Sequence, residues 1–356
     1  MTRLEAALEL VAVPSVSRDE ARLAALVASR LREANHLEVE RVGDNVVART
    51  AGTHAHRRLV AGHLDTVPGD ASRARLEGDR LVGVGACDMK GSLAVMLELA
   101  LDPTARPVEV TWVFYAREEV VRRESGLLEV AELRPDLLLA DCAVVAEPTG
   151  GRVEAGCQGT LRAVVTLSGR RAHTARPFEG RNAIHRLGGL IERVANYEPR
   201  RVPLEGVEFV EQLQAVAVAG GVAGNVVPDV ATLTLNHRVA PDRDRAAAAA
   251  WLNAYLSDAL EEGDRVEDVD WAPAAPPHLV DPALSALVEL SGEPPRAKQG
   301  WTDVATFAER GVPAANFGAG DPLRAHTPDE FVTAAELDGF ATTLDAWLAR
   351  ASKTAE

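Results

Sequence analysis

At 356 residues, with apolar side chains making up 47% and charged ones 26%, the chain is long enough for two domains and has the balance of a folded globular protein. Its formal net charge of -15 excludes the basic footprint that nucleic acid or an anionic membrane surface requires, which leaves a small molecule or a metal as the expected partner. No apolar run approaches the roughly eighteen residues of a membrane span.

The chain opens with two helical patterns, "LEAALELVAV" and "EARLAALVASRLREA". Acids and arginines are mixed through this region, without a basic start followed by an apolar stretch, so a mature cytoplasmic protein is expected. "RRLVAGHLD" reads as a strand, "GSLAVMLELAL" as a helix, and "VEVTWVFYA" and "CAVVAEP" as strands. Alternation of this kind predicts an α/β sheet covered by helices. Cys87, Cys142 and Cys157 are odd in number and lack paired spacing, so each is expected to be a small buried residue in a reducing compartment.

From about Cys157 the rhythm changes. "LRAVVTLSG" predicts a strand, "RNAIHRLGGLIERVAN" a helix, "VEFVEQLQAVAVAGG" and "DVATLTLNHRV" two strands around a Gly/Asn/Pro turn, "RDRAAAAAWLNAYLSDALEEG" a helix, and "RVEDVDW" a last strand. That βαββαβ order is the ferredoxin-like unit. The expected organisation is therefore an inserted domain at 158–270 within a metal-binding domain at 1–157 and 271–356, with the Pro-rich "WAPAAPPHLVDP" marking the return. "DVATFAERG", "VPAANFGAGD" and "AAELDGFATTLDAWLARA" resume the alternation of helix and strand.

Five fragments carry chemistry. His63 and Asp65 stand two apart at the end of a strand, so their side chains point the same way. Alone, the pair is an ordinary polar loop. A glycine-rich loop delivers Asp88 just before a helix, where a capping role is equally natural. Glu118 and Glu119 follow a strongly apolar strand and diverge in direction, which lets one bind a metal while the other handles a proton. Glu147 ends a further strand, and His326 lies in "FGAGDPLRAHTPDE" after a strand-like run. Together they fall at the ends of successive strands, where open α/β sheets form their ligand crevice.

His63, Asp88, Glu119, Glu147 and His326 are too many ligands for one tetrahedral ion that keeps an open position. If Asp88 bridges, two divalent ions each receive one histidine, one terminal carboxylate and the shared aspartate. This mixture of imidazole and carboxylate suits two Zn2+, with Co2+ or Mn2+ as substitutes. Asp65 is then expected to accept the second ring N–H of His63, and Glu118 is left as the general base.

"GHLDTVP", "GACDMKG", "EEV", "AEPTG" and "AHTPDE", in this order, resemble the M20 family of co-catalytic zinc peptidases and deacylases over nearly the whole chain. The resemblance implies a mixed-sheet, dinuclear zinc peptidase-like catalytic domain with an inserted lid and dimerisation domain, hence a homodimer. It implies that His63 and Glu147 hold one zinc, Glu119 and His326 the other, that Asp88 bridges, and that Glu118 is the catalytic acid and base. In the inserted domain, His173 of "GRRAHTARP" matches a histidine that stabilises the oxyanion in the neighbouring subunit's site. Asn225 and Arg238 match substrate-binding positions, and Thr302 of "GWTDVA" matches one near the substrate backbone. Arg117 departs from the acidic or small residue usual before the glutamate pair. "EPTGGRVEAGCQGTLRAVV", "AGGVAGNVVPD" and "GWTDVATFAERGVPAANFGAGDP" narrow the resemblance to members that cleave an N-succinyl diamino acid, a small anionic substrate. Alternatives are hydrolysis of another N-acyl amino acid, or a binding protein that keeps the fold without catalysis.

Overall fold

The computed structural model describes residues 1–52 and 54–351. The chain forms two compact units. The first comprises Met1–Gly156, Pro277–Ala297 and Thr302 onward; the second comprises Cys157–Pro276 and Lys298–Trp301.

The first unit is built on an eight-stranded mixed sheet. Arg57–His63 lies inside it, parallel to Glu109–Tyr115 on one side and to Cys142–Val145 on the other. Every residue of Glu109–Tyr115 is buried, as a strand covered on both faces requires, so its sequence is a near-continuous apolar run rather than an alternation. Ala314–Asn316 extends the parallel set beyond Cys142–Val145. Leu37–Val42 and Asn45–Thr50 form an antiparallel edge. Helices Arg3–Val11, Ala21–Leu31, Gly91–Leu101 and Ala334–Ala349 contribute to one hydrophobic core with Trp112, Phe340 and Trp347. Gly91–Leu101 is buried almost all round, and its exposed Glu98 pairs with Arg3 at 2.7 Å. Parallel strands need long crossovers, and each crossover returns the chain so that the carboxyl ends of Arg57–His63, Glu109–Tyr115, Cys142–Val145 and Ala314–Asn316 share one edge of the sheet.

The second unit is a four-stranded antiparallel sheet in the order Gln212–Gly220, Val230–Val239, Gly159–Ser168, Arg265–Ala272, with helices Ala183–Ala195 and Arg245–Leu256 over its core. Gly159–Ser168 alternates buried and accessible positions, as expected for a sheet with one face packed. The stretch expected as one strand, "VEFVEQLQAVAVAGG", is two. Val207–Val210 pairs with Arg201–Leu204 in a separate hairpin, and only Gln212–Gly220 joins the sheet. The break falls at Glu211, fully buried, whose carboxylate accepts from the Ala240 N–H and pairs with Arg200 and Arg243. A buried charge must keep such partners, and that requirement overrides the period-two pattern at this position.

The crossing back to the first unit falls at Pro276–Pro277 rather than after residue 270, because Ala272 still pairs with Thr160 and Ala275 bridges Cys157. Lys298–Trp301 also belongs to the second unit, where Trp301 Nε1 donates to the Pro273 carbonyl at 3.0 Å. Among the described residues no helix is long and apolar enough to cross a membrane. All three cysteines are buried.

Candidate metal centre

The parallel strands of the first unit deliver the polar side chains to their carboxyl ends. His63 is the last residue of its strand and is 1% exposed. Its Nε2 lies 3.0 Å from Oδ1 of Asp88 and 4.0 Å from Oε1 of Glu147. Asp88 does not cap the following helix. The N-cap position of Gly91–Leu101 belongs to Lys90, and Asp88 sits in extended backbone at φ -120°, ψ 93°. The turn before it needs Gly85, whose φ is +78° and whose Cβ, if present, would lie 2.5 Å from Cγ2 of Thr66.

The second oxygen of Asp88 faces a second histidine: Oδ2 lies 3.4 Å from Nε2 of His326, which is itself 2.6 Å from Oε1 of Glu119. Ligand atoms of His63, Asp88 and Glu119 all fall within 4.8 Å of one another. Arg117 and His326 both adopt φ of 60°, a conformation uncommon outside glycine and found preferentially where surrounding structure enforces it at functional sites.

Asp65 is fully buried, but its carboxylate is not aimed chiefly at His63. Oδ1 accepts from the Glu118 N–H at 2.9 Å, and Oδ2 from the Glu119 N–H at 3.0 Å and the Ser17 hydroxyl at 2.7 Å. Nδ1 of His63 is 3.0 Å from the Asp65 backbone carbonyl and 3.5 Å from the carboxylate. The expected ring contact is therefore mainly to the main chain. A buried carboxylate satisfies more of its lone pairs on two successive N–H groups than on one imidazole, and in doing so it fixes the loop that carries both glutamates.

Electrostatics follow from this crowding of acids. Desolvation, reinforced by the charge of Glu147, pushes the Glu118 carboxyl well above the usual range. Hydrogen bonds to Asp88 and Glu119 raise His326 to about 10. Burial works to lower His63, but the carboxylates of Asp65, 3.5 Å away, and Asp88, 3.0 Å away, outweigh it and hold the imidazole well above its ordinary value. Asp88 is held below the carboxylate range despite its burial, chiefly by His326 and His63. The donor set of imidazole and carboxylate, with one carboxylate facing both histidines, fits a pair of zinc-like ions.

Arg117 turns away from the centre. Its Nε donates to the Glu124 carbonyl at 2.7 Å and its Nη2 to Glu129 at 2.6 Å. Thr302 is buried, and its hydroxyl donates to Oδ1 of Asn316 at 2.8 Å. The remaining expected residues lie in the second unit. His173 is exposed, its Nδ1 accepting from the Ala175 N–H at 3.0 Å, and its segment runs beside that of Asn225 through the Thr174 N–H to Asn225 carbonyl bond at 3.0 Å. Arg238 is partly buried and donates to Thr160 Oγ1 at 2.7 Å.

Sequence reasoning missed Ser17, Glu20 and Glu330. Glu20 accepts from the Arg117 N–H at 3.1 Å, so three successive N–H groups of 117–119 end on two buried carboxylates. Nothing local in "PSVSRDE" reveals that its polar groups face a strand end about a hundred residues later.

Comparison with known proteins agrees with the fold. The profile described as peptidase family M20/M25/M40 matches residues 59–350. The chain belongs to this family. A Mycobacterium tuberculosis protein bearing the name succinyl-diaminopimelate desuccinylase DapE is 47% identical over 332 residues, covering 92% of this chain and 93% of the relative. The succinyl-diaminopimelate desuccinylase of Corynebacterium glutamicum is 40% identical over 353 residues, covering 95% and 94%. Among solved structures, aminopeptidase PepT from Bacillus cereus aligns with a TM-score of 0.78 at 21% identity, covering 99% of this chain and 98% of its own, a likeness of fold.

Proposed function

We infer that this M20 family member hydrolyses the amide bond of N-succinyl-LL-2,6-diaminopimelate, yielding succinate and LL-2,6-diaminopimelate, in the cytoplasm. The observation that carries the chemistry is Asp88, which presents one carboxylate oxygen to each of two histidines, His63 and His326. Identities of 40–47% over nearly the whole chain to proteins named for this activity support the choice of substrate.

Two Zn2+ ions, or Co2+ or Mn2+ in their place, would be held by His63 and Glu147 and by Glu119 and His326, with Asp88 shared. When bound they polarise the scissile carbonyl and lower the pKa of the attacking water. Glu118 takes the proton from that water and returns it to the departing amine. Asp65 holds Glu118 in place through its backbone N–H. His173 donates to the developing oxyanion, a contribution of roughly 3 kcal/mol. Arg238 pairs with a substrate carboxylate, Asn225 and Thr302 border the substrate backbone, and so local cationic and polar groups offset the acidic field of the protein.

His173 acts in this reading across a homodimer formed through the inserted domain. Support for that interface comes from Gln212–Gly220, an edge strand with exposed Val216 and Val218, and from exposed Ile184 and Ile191 on helix Ala183–Ala195. A bare apolar edge strand invites pairing with a second chain.

The test compares hydrolysis of N-succinyl-LL-diaminopimelate and N-acetylornithine by the zinc-loaded enzyme, with a chelator control. A preference for the succinyl substrate that the chelator abolishes is expected. Preference for N-acetylornithine would overturn the substrate, and absence of any amide hydrolysis would overturn the activity.

A further inference from the structure

Asp88 is held from behind by a side chain outside the expected ligand set. Glu330 is 2% exposed, and one oxygen of its carboxylate, Oε1, accepts from the N–H groups of both Cys87, at 2.8 Å, and Asp88, at 2.9 Å. Its own carbonyl accepts from the Gly83 N–H at 3.0 Å. Glu330 stands four residues after His326 and immediately before Phe331–Thr333, the strand that pairs with Arg80–Val82. One residue therefore ties the loop carrying His326 to the loop carrying Asp88.

The arrangement repeats the one at Asp65. There, a buried carboxylate gathers the N–H groups of Glu118 and Glu119; here, another gathers those of Cys87 and Asp88. The backbone departs from helical geometry at Asp88 and Met89, so without Glu330 the amides of Cys87 and Asp88 would be left to find other acceptors in a closed space. The backbone of Asp88 would then be free to rotate, and with it the plane of the carboxylate that must face two histidines at once. Outer partners of this sort typically govern about 10–100-fold of metal affinity.

Resting on the reading of Asp88 as the shared ligand, we propose that Glu330 is a positioning residue for the dinuclear centre, setting the direction of the Asp88 carboxylate before any ion arrives. Both bonds fall on a single oxygen, so the requirement is for a correctly placed acceptor. Glutamine at this position supplies one, and methionine, of similar length, does not.

The experiment titrates Co2+ into metal-free wild type, Glu330→Met and Glu330→Gln, reading affinity and the visible absorption of the bound ions, with circular dichroism to verify folding. Wild type is expected to bind two ions per chain. Folded Glu330→Met should bind about 10–100-fold more weakly with an altered spectrum, and Glu330→Gln should stay near wild type. A folded Glu330→Met with wild-type affinity and spectrum overturns the proposal, as does Glu330→Gln binding as weakly as Glu330→Met. Failure of both metal-free variants to fold assigns Glu330 to the fold and also overturns it. If wild type itself binds fewer than two ions, the reading of the centre fails and the inference falls with it; if wild type binds two, only the role of Glu330 is at stake.

Discussion

Replacing Asp65 by asparagine keeps shape and volume while removing one acceptor oxygen. In the native protein the carboxylate accepts from the Glu118 N–H, the Glu119 N–H and the Ser17 hydroxyl in a site with no solvent exposure. An asparagine oxygen placed where Oδ2 stands retains the two bonds there, and the amide nitrogen then meets the Glu118 N–H, donor against donor. One charge-assisted bond is lost, worth about 1.5–3 kcal/mol, and a buried N–H is stranded, so the net cost is about 3 kcal/mol. At roughly 2–4 °C per kcal/mol for a unit of this size, the melting transition of the first unit should fall by roughly 6–12 °C. Because the displaced backbone carries both Glu118 and Glu119, turnover at saturating metal should fall about 10–100-fold and metal should bind more weakly. Calorimetry, metal titration and steady-state kinetics on Asp65→Asn measure the three effects. A variant with wild-type melting and turnover would refute the idea that Asp65 acts by organising the 118–119 backbone.

Glu118→Gln should retain two metals and lose about 10²–10⁴-fold in kcat, and unchanged turnover would remove its role as acid and base. His326→Ala should release one ion more easily than the other in a chelator titration, and two equally tight ions would refute its assignment as a ligand. His173→Ala should cut turnover about 10²–10³-fold without loss of metal, and a normal rate would make it a bystander. In the second unit, Glu211 is desolvated, but its bonds to Arg200 and the Ala240 N–H, with the charge of Arg243, prevail and hold its carboxyl at about 2, below the usual 4.5. A depressed pKa contributes stability that is present above 4.5 and lost as pH falls towards 2. Acid unfolding followed by tryptophan fluorescence should therefore show this loss in wild type and a smaller one in Glu211→Gln, whose stability at neutral pH should be lower by about 3–5 kcal/mol.

Much of the first unit was legible because long periodic segments carry their own signal: the buried run of Glu109–Tyr115 and the apolar helix Gly91–Leu101 need no partner to be recognised. The site fragments were legible as residue types at strand ends, and the family resemblance ordered them. The break at Glu211 was not, since a charged residue in a strand-like run normally points to solvent, and only the presence of Arg200, Arg243 and the Ala240 N–H around it accounts for its burial. Nor did sequence show which atom of Asp65 serves His63, because that depends on competition with N–H groups more than fifty residues away.

By itself the sequence determined which side chains are available for ligation and which strands carry most of them, since periodicity and residue chemistry are local properties. Tertiary structure decided direction. Whether Asp88 caps a helix or faces two histidines, and whether Glu20, Asp65 and Glu330 lie on the surface or hold the ligand loops from within, depends on hydrogen bonds between segments distant in the chain. The physical reason is that a buried carboxylate goes where unpaired N–H groups are concentrated, and only the folded backbone establishes where that is.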